Sequence, residues 1–193
     1  MTTINIISPK YNQDNSELSI KLEESSGASA ILKIDFNELS QFAKLASKEV
    51  FDFFIITSCV YGIDRFIKRR ANSVDGWSRK IKVTFPVNDK IKWESVKLEL
   101  EALLSFLTGD YWSVNFYNSD FILSEKPIDK KYSTKFSQVN LFSGGLDSLI
   151  GAIDFLSENP NKSLLLISQY DKQMHGPLSD QNDLIKQLSI DYT

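Results

Sequence analysis

The residues whose types and spacing can do chemistry are gathered in one hexapeptide, Ser143-Gly144-Gly145-Leu146-Asp147-Ser148. It follows the apolar positions Val139, Leu141 and Phe142 and precedes Leu149, Ile153 and Leu156, which recur at helical spacing. A strand thus runs into a Ser/Gly turn that opens a helix, a geometry suited to anions. Two adjacent glycines let the backbone approach a ligand without a Cβ, and their amides, with those of the first helical turn, can point at phosphate oxygens. The Ser143 and Ser148 hydroxyls add donors. An exposed helix N-terminus favours an anion by only about 0.3–1 kcal/mol, so amides and a metal must supply most of the selectivity. No Lys follows the glycines, which excludes G-x-x-x-x-G-K-S/T, and the adjacency of Gly144 and Gly145 excludes G-x-G-x-x-G. A plain glycine turn is disfavoured because hydroxyl, glycine and Asp spacing all agree.

The elements that must position this turn can be read on both sides of it. After the turn come a helix to about residue 158, a strand over 164–168, a loop, and a helix from about 179. Upstream, Leu18, Ile20 and Leu22 alternate with polar residues, Ser25-Ser26-Gly27 forms a turn, and Ala30, Leu32 and Ile34 resume the alternation, which predicts a hairpin. Asp35-Phe36-Asn37-Glu38 resembles a capping box for a helix carrying Leu39, Phe42, Ala43 and Ala46. Apolar positions between Val50 and Ile67 surround most of a helical circumference, which predicts a core helix. Residues 72–77 read as a turn, and Ile81, Val83, Phe85 and Val87 as a one-sided strand. A helix on Trp93, Val96, Leu100, Leu103 and Leu107 follows, ended by Gly109, and then a strand on Trp112, Val114 and Phe116. Residues 1–123 thus form an α+β domain, 124–136 a linker with one Pro and four Lys, and 137–193 the start of a parallel-sheet domain.

With 42% hydrophobic and 24% charged residues and a net charge of −3, the composition is globular and excludes disordered and collagen-like chains. One cysteine, Cys59, can form neither an internal disulfide nor a thiolate metal cluster and points to the cytoplasm. The most apolar stretch, 50–63, is too short to span a bilayer, and the N-terminus has no signal-peptide pattern. His175 stands alone in a Gln-Met-His-Gly-Pro loop and reads as loop surface rather than as a base or ligand. Lys68, Arg69 and Arg70, with Arg79, Lys80 and Lys82, read as a solvated face rather than a nucleic-acid patch, given the acidic net charge. Phe51, Phe53, Phe54 and Phe66 read as core.

SGGLDS matches the SGGxDS signature of the PP-loop ATP pyrophosphatases. The wider sequence resembles the 7-cyano-7-deazaguanine synthase (QueC-like) branch, most closely the QatC-type family of Qat anti-phage defence systems. The passages that carry this are LFSGGLDSLIGAIDFL at 141–156, LLLISQYD at 164–171, DGWSRKIKVTFPV and LLSFLTGDYW, and the length of chain that precedes the loop. The resemblance implies an adenine nucleotide alpha hydrolase-like (Rossmann-like) α/β domain that binds ATP and Mg²⁺. It also implies activation of a 7-carboxy-7-deazaguanine-type carboxylate as an adenylate, with release of pyrophosphate. Ser143, Gly144, Gly145 and Ser148 would hold the departing phosphates. Asp147 would orient the turn or contact Mg²⁺, and Leu141, Phe142 and Leu146 would line the nucleotide floor. Ser168, Gln169, Tyr170 and Asp171, at the carboxyl end of the next strand, would face the same crevice. The acceptor of the activated carboxylate is ammonia or a protein N-terminus, and defence-operon proteins are the expected partners, without membrane or direct nucleic-acid binding.

Two features depart from that family. Residues 139–193 supply only two strands and two helices of a doubly wound sheet, and no cysteine follows Cys59 to build the family's four-Cys zinc cluster. The chain therefore reads as a fragment, with catalysis expected of the complete family protein, an ATP-dependent C–N ligase. Two alternatives share these residues. One is another PP-loop branch, an amidotransferase-type synthetase or a tRNA-thiolating enzyme. The other is a non-catalytic interaction module with a vestigial loop.

Overall fold

Alternating burial along the strands builds one sheet with a wet face and a dry face. The computed structural model describes residues 1–12, 14, 16–36, 46–119, 121, 136–168 and 177–192, and the chain divides into two compact units, Met1–Ile128 and Asp129–Thr193. The first unit holds β1 (Thr2–Asn12), β2 (Glu17–Glu24), β3 (Ser29–Asp35), β4 (Lys80–Val87) and β5 (Tyr111–Asn118). Their order is β3-β2-β1-β4-β5. The β1–β2 and β2–β3 pairs are antiparallel, whereas β1–β4 and β4–β5 are parallel. Ile81, Val83 and Phe85 are fully buried while Lys80 and Lys82 are exposed, as the alternation predicts. Each such buried side chain contributes about 1.5–3 kcal/mol.

Helix α1 (Lys48–Phe66) starts at Ser47, whose Oγ accepts from the Val50 amide at 3.3 Å. It packs Ile55, Ile56, Cys59 and Ile63 into the core, but Val50, Phe53 and Tyr61 are exposed. Only one face is therefore buried, because the sheet covers the helix from one side alone. Phe51, Phe54 and Phe66 pack at the core margin, whereas Phe53 does not. The short helix α2 (Arg69–Asn72) follows.

The single helix expected after β4 is broken into α3 (Lys90–Ser95) and α4 (Lys97–Thr108), because Val96 leaves helical geometry at φ −117° and ψ 18°. Asp89 caps α3, accepting from the amides of Ile91 and Lys92 at 3.1 and 3.2 Å. On α4 the core positions are Leu100 and Leu104, while Leu103 and Leu107 face outward, so the buried stripe is rotated from the expected one. Gly109 ends α4 in the left-handed region at φ 69°. Edge strand β5 is partly closed by Glu101, whose carboxylate accepts the Val114 amide at 2.7 Å.

Two of the basic residues expected on a solvated face belong instead to an ion network. Arg79 is fully buried, and its Nη2 lies 2.6 Å from both Asp110 Oδ2 and Asp64 Oδ1. Arg69 Nη1 adds a bond to Asp110 Oδ1 at 2.9 Å, and its guanidinium lies 5.0 Å over the Trp77 ring. Burial alone would raise the Asp110 carboxyl, but hydrogen bonds from the Arg79 side chain and backbone outweigh it and hold it below the usual Asp value. Arg79 and Asp110 immediately precede β4 and β5, so the network pins the starts of two parallel strands.

The second unit contains β6 (Gln138–Leu141), α5 (Leu146–Glu158), β7 (Leu164–Ile167) and α6 (Pro177–Asp191). The two strands are parallel, with Leu141 opposite Ile167. Phe142, Ala152 and Leu188 form its buried centre, with Leu149, Ile153 and Leu156 packed around them, which is the packing role expected of those three. The structure is therefore mixed α/β. Residues 37–45 of the helix expected after Asp35, and all of the 124–136 segment except Phe136, lie outside the described residues.

Candidate functional site

The turn between β6 and α5 is fixed from below and open above. Phe142 prolongs the parallel ladder by one step, its amide donating to the Ile167 carbonyl at 2.8 Å. Its ring is buried, 1% exposed, so Phe142 belongs to the core beneath the turn, whereas Leu141 and Leu146 on either side are 79% and 70% exposed. Ser143 is exposed, and Gly144 then takes φ +82°, a region costing an L-residue about 1–2 kcal/mol. Gly145 is the N-cap of α5 at φ −80° and ψ 164°, with no side-chain cap. Its carbonyl accepts the Leu149 amide at 3.1 Å, while the first-turn amides before Leu149 precede any intrahelical partner.

The two serines close a small ring of hydrogen bonds. The Gly145 amide donates to Ser143 Oγ at 3.3 Å, and Ser148 Oγ donates to the Gly145 carbonyl at 2.9 Å. The hydroxyl oxygens are 3.3 Å apart. Ser148 uses its single proton on the carbonyl, which leaves Ser143 as donor between the two. Residues 143 and 148 are thus brought together, and rotating either hydroxyl would redirect it to an incoming anion. Asp147 stands exposed in the first turn of α5, where the helix dipole favours a carboxylate.

A residue that spacing alone does not mark completes the turn. Gln181 of α6 is 4% exposed, and its Nε2 donates to the Ser143 carbonyl at 2.9 Å. Its Cγ lies 3.0 Å from where a Cβ on Gly144 would stand. The contact joins positions 38 apart in sequence, and the only signal was the helical pattern that carries Gln181.

Because the strands are parallel and in register, Ser168 follows β7 at the same sheet edge where Ser143 follows β6. Ser168 is exposed. Gln169, Tyr170, Asp171 and His175 lie outside the described residues. A cleft of about 450 Å³ in this unit is lined by Leu156, Leu164, Leu166, Ile185, Leu188 and Tyr192 among others, and none of the loop residues reaches it. Within the turn, Ser143, Gly145, Leu146 and Asp147 are exposed. Among the described residues no group of three or more His, Cys, Asp or Glu is arranged to hold a metal ion, and no helix is long and apolar enough to cross a membrane. Cys59 is buried in the other unit, which pushes its thiol up to about 12.

Comparison with protein-family models, curated proteins and solved structures finds no match to the chain.

Proposed function

We propose that the β6–α5 turn is a PP-loop that binds the phosphate chain of ATP, in a nucleotide-binding domain of the adenine nucleotide alpha hydrolase-like kind. The observation that carries this reading is the SGGLDS turn itself, with Gly144 at φ +82° and a helix N-terminus that no side chain caps. First-turn amides without intrahelical partners and two rotatable hydroxyls fit a phosphate, and the absence of a Cβ at Gly144 keeps the approach close. Ser143, Gly144, Gly145 and Ser148 hold the outer two phosphates. Leu141 and Leu146 offer apolar surface to the nucleoside, with Phe142 bracing them from beneath. Asp147 would repel a bare polyphosphate, so it fits best beside Mg²⁺, which would neutralise the departing pyrophosphate and keep several waters.

The reaction class is adenylation. A carboxylate oxygen of a 7-carboxy-7-deazaguanine-type acid bonds to the α-phosphorus, the bond from that phosphorus to the bridging oxygen breaks, and pyrophosphate leaves with the electron pair. An amine then displaces AMP to form the amide, as in a C–N ligase of an anti-phage defence system. Calorimetric titration of the full chain with ATP and Mg²⁺ tests the binding half: binding is expected, weakened by Ser143→Ala and Asp147→Ala. No ATP binding, or unchanged affinity in both variants, would falsify the proposal.

A second reading rests on α4. Leu98, Phe106 and Leu107 are 75%, 86% and 66% exposed, an apolar helix surface suited to protein contact, as an interaction module requires. Partner capture that is lost in Phe106→Asp and indifferent to ATP favours this reading over the first.

A further inference from the structure

We infer that Gln181 is a positioning residue that holds the phosphate loop in its anion-ready conformation and thereby couples α6 to ligand binding. The inference rests on the nucleotide reading of the loop. Among the described residues Gln181 is the buried side chain that donates to this turn, and it does so at Ser143 O, the carbonyl preceding Gly144. In a trans peptide the N–H points opposite to the C=O. Drawing the Ser143 carbonyl toward α6 therefore turns the Gly144 amide away from α6, and Gly144 sits at its positive φ with Gln181 Cγ 3.0 Å from where a Cβ would stand. If Ser143 O is released, that peptide is free to rotate and the row of donors is no longer aligned. By linkage, a ligand that selects the aligned loop must also strengthen the Gln181 contact.

The test uses the full chain, inorganic pyrophosphate with Mg²⁺ as probe, and Gln181→Met, which keeps the size and removes the donor. The expected result is a dissociation constant raised about three- to tenfold. Pyrophosphate should also slow amide exchange along residues 181–186 in the natural chain and fail to do so in Gln181→Met. A merely structural role would lower the melting temperature yet leave the affinity of folded molecules and this exchange response unchanged, and that outcome overturns the inference while leaving the loop's proposed function standing. If the natural chain binds neither pyrophosphate nor ATP, the nucleotide reading falls and takes this inference with it. Should Gln181→Met not fold, the natural chain still decides: binding without added protection of 181–186 refutes the coupling.

Discussion

Replacing either glycine of the loop by alanine adds the same methyl group, yet the two positions should respond differently. At Gly144 the added Cβ meets a backbone at φ +82° and the Gln181 Cγ at 3.0 Å. The left-handed conformation costs about 1–2 kcal/mol. The side chain of Gln181 is flexible enough to retreat, but retreat breaks its bond to Ser143 O, a further loss of about 1 kcal/mol. Together these give about 2–3 kcal/mol against the aligned loop, a factor of about 30–150 in pyrophosphate affinity at 1.4 kcal/mol per tenfold. At Gly145 the backbone is extended, φ −80° and ψ 164°, and the Cβ would meet only Ser143 Oγ at 3.4 Å. Gly145→Ala should therefore change affinity by less than about threefold, mainly through a poorer N-cap. Calorimetry with pyrophosphate and Mg²⁺, alongside circular-dichroism melts, separates binding from folding. Equal losses in the two variants, or natural affinity in Gly144→Ala, would refute the argument from backbone geometry.

Asp110→Asn should destabilise the first unit by about 3–5 kcal/mol in chemical denaturation, because it leaves buried Arg79 short of its charge partner; a loss below about 1 kcal/mol contradicts the network's role. Since the folded Asp110 carboxyl is held below its unfolded value, that stability is present above about pH 4 and fades as acid takes the pH down through the lowered folded value. The natural chain should thus lose stability on acidification more steeply than Asp110→Asn, and parallel acid profiles would count against this. Gly109→Ala places a Cβ 2.9 Å from Trp77 Nε1 at φ +69°, so melting should fall by the equivalent of about 1–2 kcal/mol with a change in tryptophan emission; an unaltered melt and spectrum disproves the strain. Cys59, buried with its thiol pushed up to about 12, should resist a thiol reagent at pH 8 until denaturant is added, and fast labelling of the native chain would refute its burial.

Where local pattern decides structure, the sequence is explicit. The β2–β3 hairpin and strands β4 and β5 follow from period-two alternation against one buried face, and α5 from the step Leu149, Ile153, Leu156. Strand β1 is less legible. Ile4 and Ile6 are buried in the middle of the sheet, but Pro9, the bulge between Ile7 and Lys10 and the polar end Lys10-Tyr11-Asn12 obscure the alternation. On α4, Leu98, Leu100, Leu103, Leu104 and Leu107 allow more than one apolar stripe, and only the position of β5 selects Leu100 and Leu104. Arg79 looks like a member of a basic cluster until Asp110, 31 positions away, is brought beside it. At the candidate site the turn could be read because its residues are contiguous. Gln181 could not, because its role exists only once α6 has packed against the loop.

The core of the first unit, from Ile4 to Phe116, is assembled wholly from residues that precede the β6–α5 turn. During synthesis that unit can therefore close before Ser143 has left the ribosome, as domains commonly fold from the N-terminus onward. The second unit, with four-residue strands and a centre of Phe142, Ala152 and Leu188, draws on residues that emerge later. Substitutions in that sheet are then tested for folding before any residue of the turn has emerged.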